Sequence, residues 1–354
     1  MGSRGRGKSP TESSVSRVYP NSGASDWVGQ RKTDTKPIVY FSGTASSKDW
    51  SEDQFFEKTK VKHRCLSYAY LGFNSPLYTK TYVDLQAACY RHKAAVMLDS
   101  GAHSFHKFFR YGSNATKLKS SLGDGGVDGF VERYAQFVLH SNKNKLLYDW
   151  YVTFDYIKDC PTIYKVTKQL QKLGVFPVPV YHGDHDLSWV QRYIDEGHKV
   201  IGVGLDRKGK HDRDNVRRYY DAIFSLTEKA GVHCHGFAVT GDLMFQFPWY
   251  SCDSTTYIKA GAYGKILDFR PEKQLLGTMH VTDKYAGPGS FETLCPSIQK
   301  EIRVSAELKG FDFNQLRTSP FYRAMYNAVI MLEAIEYHMR RPVEWIPVRT
   351  AITK

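Results

Sequence analysis

The stretch AAVMLDSGA, residues 94–102, runs apolar from Ala94 to Leu98 and then turns polar at Asp99-Ser100-Gly101. A strand with water on one face alternates apolar and polar residues. A continuous apolar run instead marks a strand covered on both faces, as in a parallel sheet flanked by helices. Further stretches read in the same way: IVYFSG (38–43), CLSYAYL (65–71), WYVTFDYI (150–157), VFPVPVYHG (175–183), KVIGVGL (199–205), VHCHGFAV (232–239) and WYSCDST (249–255).

Between these runs, apolar residues recur at helical spacing. Val127, Phe130, Val131, Tyr134, Phe137 and Val138 share one face, as do Val216, Tyr220, Ile223 and Leu226, and Leu187 with Val190 and Ile194. Eight strand–helix units over about 230 residues predict an α/β fold, a (β/α)8 TIM barrel spanning residues 36–268. An open doubly wound sheet shares this periodicity, but no Gly-rich phosphate loop follows the first strand.

The flanks differ in composition. Residues 1–35 are rich in Gly, Ser, Arg and Lys without apolar periodicity, which predicts a disordered basic arm. Residues 269–354 read as a mostly helical C-terminal appendage. Its centre is a long helix over 317–340 with Phe321, Met325, Val329 and Leu332 on one face, closed by the basic pair Arg340 and Arg341 before Pro342.

A chain of 354 residues with 42% hydrophobic content can bury a large core. Lys and Arg number 49 against 36 Asp and Glu, and the resulting net charge of +13 points to a polyanionic partner such as nucleic acid. With 24 Tyr and 20 Phe, rings that stack on bases are plentiful, although most belong to the core. The six cysteines form no Cys-x-x-Cys and no disulfide framework, which fits the reducing cytoplasm. No apolar run is long enough for a transmembrane helix and no signal peptide opens the chain, so the expectation is a soluble protein without a membrane partner.

In barrels of this kind the chemistry sits at the C-terminal ends of the strands. The polar residues there are Asp99, Ser100 and Gly101; Asp155; His182 and Gly183; Gly202 and Gly204; His235; and Asp253. A single strand-end Asp is ordinarily a helix cap or turn former. Three at equivalent ends converge on one mouth when the barrel closes, and two carboxylates facing one substrate can divide the work of nucleophile and general acid/base. A rival reading starts from His233 and His235 on one strand, with His182 and His185 nearby: a metal-dependent barrel hydrolase. Such enzymes place their His-x-His on the first strand, whereas here it falls on the seventh.

At these same strand ends the sequence resembles the guanine transglycosylases, whose best-known members modify tRNA. Asp99-Ser100-Gly101-Ala102-His103-Ser104-Phe105 is similar to that family's DSGGFQ segment, Phe154-Asp155-Tyr156 to its FDE segment, and Cys252-Asp253-Ser254 to the segment that carries its nucleophile. His182-Gly183 and Gly202-Val203-Gly204 correspond loosely to its base-binding Gly elements, and the order is retained over about two-thirds of the chain. The tRNA enzymes carry a Cys-x-Cys-x-x-Cys zinc site after the nucleophile, but only Cys295 follows Asp253 here. With Tyr181-His182-Gly183 in place of Gln-Gly-Gly, the chain looks more like the phage and bacterial branch that inserts 7-deazaguanines into DNA.

The resemblance implies a glycosyltransferase that exchanges guanine in duplex DNA for a free 7-deazaguanine, with no cofactor and no metal. Asp253 is then the nucleophile and Asp99 the proton acceptor, while Asp155 reads the base's N1–H and 2-amino group. Phe105 or Tyr156 would stack on the ring, Ser100, His182 and His235 would line the pocket, and the backbone at Gly101, Gly183, Gly202 and Gly204 would approach the base closely. Lys259, Lys265, Arg340 and Arg341 are the phosphate-contact candidates. Exchange in tRNA is the alternative within the same chemistry.

Overall fold

The computed structural model describes residues 37–44, 50–72, 80–104, 125–143, 148–155, 159–182, 186–205, 213–270, 275–285 and 287–340. The expected arm at 1–35 lies outside them, as do Phe105, Tyr156, Gly183, His185 and Arg341.

The eight runs read as strands each hold or overlap one: β1 (Ile38–Ser42), β2 (His63–Ser67), β3 (Ala95–Asp99), β4 (Trp150–Tyr151), β5 (Val180–His182), β6 (Val200–Gly204), β7 (His233–Gly236) and β8 (Ser251–Ser254). All pairings are parallel, in the spatial order β4-β3-β2-β1-β8-β7-β6-β5. The two ends of this sheet meet through the single parallel bridge Val152↔Val178. There Val178 N–H donates to the Tyr151 carbonyl at 2.9 Å and Thr153 N–H to the Val178 carbonyl at 3.0 Å. The sheet therefore curls round on itself, an α/β TIM-barrel-like fold, and the open doubly wound alternative falls away.

Two-residue periodicity divides the strand side chains between two cores. Val39, Phe41, Leu66, Leu98, Ile201 and Val203 point outward into the large apolar layer beneath the helices. Tyr40, Cys65, Met97, Val152 and Val180 point inward and fill the barrel, with Trp150 and Phe237 packed against them. Burial on both sides explains why the strands read as unbroken apolar runs.

The surrounding helices are α1 (Glu52–Thr59), α2 (Tyr68–Leu71), α3 (Lys80–Arg91), α4 (Gly126–Lys143), α5 (Cys160–Lys172), α6 (Ser188–Asp195), α7 (Arg213–Lys229), α8 (Asp242–Gln246) and α9 (Thr256–Ala262). Local chemistry sets their starts. Ser51 accepts from Gln54 N–H at 3.3 Å to open α1, and Asp159 accepts from Thr162 N–H at 3.1 Å to open α5, where Pro161 occupies the first turn. A charged group interrupts the outer apolar layer. Arg64, fully buried on β2, pairs with Glu52 at 3.2 Å and donates to Tyr257 Oη at 2.8 Å and to the Gly43 carbonyl at 2.9 Å.

The structure departs from the sequence reading in three places. The second half of CLSYAYL is the helical turn α2 rather than strand. A two-stranded antiparallel hairpin, β9 (Lys265–Arg270) with β10 (Leu275–His280), straddles the boundary expected at residue 268. The helix expected over 317–340 is interrupted at Ser319, which separates α11 (Phe313–Thr318) from α12 (Pro320–Arg340). Pro320 lacks the N–H that a continuous helix needs, so the chain restarts with Ser319 Oγ accepting from Tyr322 N–H at 3.2 Å. Helix α10 (Pro296–Leu308) completes this region.

The C-terminal region is fastened to the barrel rather than tethered beside it. A Cβ on Gly261 of α9 would lie 2.9 Å from the Pro320 carbonyl oxygen, so only glycine admits α12 so closely. Buried Asn327 accepts from Leu267 N–H at 2.6 Å and donates to the carbonyls of Tyr257 at 3.0 Å and Lys265 at 3.2 Å. One side chain thereby joins α12, α9 and β9. Among the described residues, no helix is long and apolar enough to cross a membrane.

Candidate active site

The inward side of the barrel changes character near its C-terminal end. The last inward residues on their strands are Ser42, Ser67, Asp99, His182, Gly204 and Asp253; the first four stand directly above the apolar Tyr40, Cys65, Met97 and Val180. Register places Ser67 beside Asp99, His182 beside Gly204, and Asp253 beside Tyr40. Asp155 and Asp253 both lie close enough to Asp99 for their charges to act on it.

Asp99 lies deep in the mouth. Burial and the two neighbouring carboxylates push its pKa up to about 7, against the pull of the Gly101 N–H and the nearby Ser67 hydroxyl. Gly101 N–H donates to Asp99 Oδ2 at 2.8 Å. That turn requires glycine, since Gly101 has φ +86° and a Cβ would lie 2.4 Å from the Ala69 Cβ. A carboxyl group poised near neutrality can both give and take a proton.

Asp253 is held from two sides. Ser42 Oγ donates to its Oδ2 at 2.9 Å, and the backbone N–H of Ala238 donates to its Oδ1 at 2.8 Å. Ala238 adopts φ +53°, a left-handed conformation costly for a residue with a Cβ. Below lies His235, fully buried, with its Nε2 3.7 Å from Asp253 Oδ1 and its Nδ1 2.8 Å from Ser251 Oγ. A carboxylate fixed by donors on both oxygens has one orientation, as a nucleophile requires.

Asp155 follows β4 and is largely buried. Its Oδ2 lies 3.2 Å from His182 Nε2, and its Oδ1 accepts from Ser100 Oγ at 3.4 Å. The strand-end glycines Gly202 and Gly204 also have a packing role. A Cβ on Gly204 would fall 2.6 Å from the His182 ring, and one on Gly202 would fall 2.6 Å from the Phe237 ring. The missing side chains make room for rings from neighbouring strands.

Ser42, Ser67 and Ala238 are site residues that sequence reasoning missed. Two-residue periodicity points to the first two, since each is the next inward position above Tyr40 or Cys65. No sequence signal marks Ala238, whose role lies in its backbone. Of the phosphate-contact candidates, Lys259 is exposed on α9, Lys265 opens β9 half-buried, and Arg340 ends α12. His233, at the far end of β7, is exposed and stacks on Tyr250 at 4.8 Å. It does not join His235 in a common site, and among the described residues no group of three or more His, Cys, Asp or Glu is placed to hold a metal ion.

No family model matches the chain, and no curated protein matches it. Among solved structures, it is similar to a Bacteroides thetaiotaomicron protein assigned as an alpha-L-fucosidase, at 12% identity and TM-score 0.35, over 64% of this chain and 80% of that one. It is also similar to a xylose isomerase-like TIM barrel protein from Mycobacterium smegmatis in complex with magnesium. That match has 11% identity and TM-score 0.30, over 87% of this chain and 99% of the other.

Proposed function

We propose that the chain is an enzyme, a glycosyltransferase that exchanges guanine in DNA for a free 7-deazaguanine base through a covalent aspartyl–deoxyribose intermediate. The observation that carries this reading is the pairing of an oriented carboxylate, Asp253, with a second carboxyl group, Asp99, poised near neutrality in the same mouth. Asp253 attacks C1′ of a flipped-out deoxyguanosine, forming an ester bond as the bond to guanine N9 breaks. Protonated Asp99 gives its proton to the departing guanine. The Asp99 carboxylate left behind removes the N9 proton of the incoming base, whose N9 then attacks C1′ and releases Asp253. Two displacements at C1′ retain the configuration. One glycosidic bond replaces another, so no redox or nucleotide-hydrolysis chemistry is required.

Asp155 and His182 supply the base recognition. A carboxylate accepts from the N1–H and 2-amino donors of the guanine skeleton, and an imidazole beside it can donate to the carbonyl edge. The net charge of +13 favours association with a polyanion.

Mass spectrometry of nucleosides tests the reading, using plasmid DNA and tRNA from cells that make the protein and are supplied with 7-cyano-7-deazaguanine. A 7-deazaguanine deoxynucleoside in plasmid DNA, absent with Asp253→Ala, is the expected result. Modified tRNA with unmodified DNA would move the substrate to tRNA, and unmodified samples of both would overturn the reading.

A further inference from the structure

His235 has a geometry that hydrophobic burial alone does not explain. It is completely enclosed, with ring centroids of Trp150 at 4.7 Å, Phe237 at 4.8 Å and Tyr40 at 6.3 Å. This apolar collar holds the imidazole neutral, against the pull of Asp253 towards the charged form. A neutral imidazole carries one N–H and one lone pair. Its Nδ1 meets Ser251 Oγ at 2.8 Å, while its Nε2 is buried without a hydrogen-bond partner, 3.7 Å from Asp253 Oδ1.

Only one tautomer makes both contacts favourable. With the proton on Nδ1, Nε2 would turn its lone pair towards a carboxylate oxygen. With the proton on Nε2, the Ser251 hydroxyl donates to Nδ1 and the N–H points at Asp253. The separation is somewhat longer than a formed N–H···O bond of about 2.7–3.2 Å, so the donor stands in reserve behind the two already in place. A buried donor left unpaired is costly to the resting fold, and a catalytic role is one reason native structures keep such a group.

Building on the reading of Asp253 as nucleophile, we propose that His235 is a positioning residue. Its Nε2–H closes on Asp253 Oδ1 and, with Ser42 and Ala238, holds the carboxylate through attack and through its release as the leaving group. Of the three donors, Ser42 serves Oδ2, while Ala238 and His235 share Oδ1. Ser251 acts one step further back by setting the tautomer.

Single-turnover base exchange on a guanine-containing duplex with 7-cyano-7-deazaguanine provides the test. Asp253→Ala comes first, and full exchange by that variant would overturn the parent reading itself. With Asp253 shown to be essential, His235→Leu is expected to lower the single-turnover rate constant by roughly tenfold to a hundredfold, the scale of one lost donor, with the half-saturating concentration of the incoming base little changed. His235→Gln, whose amide replaces the Nε2 donor, is expected to recover most of that loss. Equal rates for wild type and His235→Leu would overturn the inference, as would equal impairment of the Leu and Gln variants. A readout independent of activity is nitrogen-15 NMR of histidine-labelled protein, with the His235 signal assigned by its absence in His235→Gln. An Nε2–H tautomer at neutral pH is expected, shifting towards Nδ1–H in Ser251→Ala. An Nδ1–H tautomer in the wild type would overturn the inference even if His235→Leu failed to fold.

Discussion

The backbone N–H of Ala238 donates to Oδ1 of Asp253 at 2.8 Å while Ala238 itself is held at φ +53°. A left-handed alanine costs on the order of 1–2 kcal/mol. The molecule bears that cost at the residue that aims its candidate nucleophile, where strained backbone commonly serves function. Ala238→Gly should relieve the strain, raise stability by about 1 kcal/mol and leave exchange intact. Ala238→Val should lower both stability and kcat, because a β-branched residue resists this conformation more strongly. Thermal melts and single-turnover rates on the same samples check both outcomes.

Asp99 carries a pH signature. Its pKa is raised from 3.8 to about 7, so the folded state holds this proton more tightly than the unfolded chain. The group therefore favours folding at low pH, and that contribution is lost as pH climbs from about 4 to about 7. Asp99→Asn cannot ionise, so its Tm advantage over wild type should grow across that interval and level off above it. The gain should be several degrees, since a rise from 3.8 to about 7 corresponds to on the order of 4 kcal/mol and about 1 kcal/mol moves Tm by roughly 1–2 °C at this size. Base exchange should be lost in the same variant. A Tm difference that does not change with pH would contradict the assignment.

Gly101→Ala should be far more harmful than an ordinary loop substitution. The residue sits at φ +86°, and its new Cβ would meet the Ala69 Cβ at 2.4 Å and the Ala69 backbone nitrogen at 2.9 Å. Both penalties act at once, for an expected loss of about 2–4 kcal/mol. The Gly101 N–H that supports Asp99 would move with the turn. Urea denaturation gives the stability, and exchange measured well below the unfolding midpoint gives the effect on the site.

Gly204→Ala tests whether His182 belongs to base recognition. The added Cβ would press on the His182 ring at 2.6 Å and disturb its 3.2 Å contact with Asp155. The expected result is a rise of about tenfold in KM for the incoming base with a smaller change in kcat, the mark of lost binding common to ground and transition states. His182→Ala should give a similar rise in KM, and the double variant should add little. Additive effects in the double-mutant cycle would show that Gly204 acts elsewhere.

Much of the barrel is legible in the sequence because each strand is buried on both sides, and that condition writes itself as an unbroken apolar run. Asp99 and Asp253 are legible for a related reason: each breaks such a run at its end. The hairpin at 265–280 escapes because it is a short antiparallel pair packed beneath α12, with no Asn-Gly or Asp-Gly turn to announce it. The tail of CLSYAYL escapes because aromatic and apolar residues suit a strand and a buried helical turn equally well. Ser42 and Ser67 are visible only once inward and outward positions are assigned, which requires the register. Ala238 and the unpaired nitrogen of His235 depend on backbone angles and distances that no residue pattern encodes.

Among the described residues the cylinder closes through Val152 and Val178 alone, which has a mechanical consequence. Every other joint around the ring is a ladder of paired residues, and this one is a single rung. Asp155 and His182 stand on its two sides, and their 3.2 Å contact is a clasp above it. The β1–β8 wall, which carries Ser42 and Asp253, is by contrast a ladder of four residue pairs. The ring is thus least reinforced on the side of the mouth that carries Asp155 and His182.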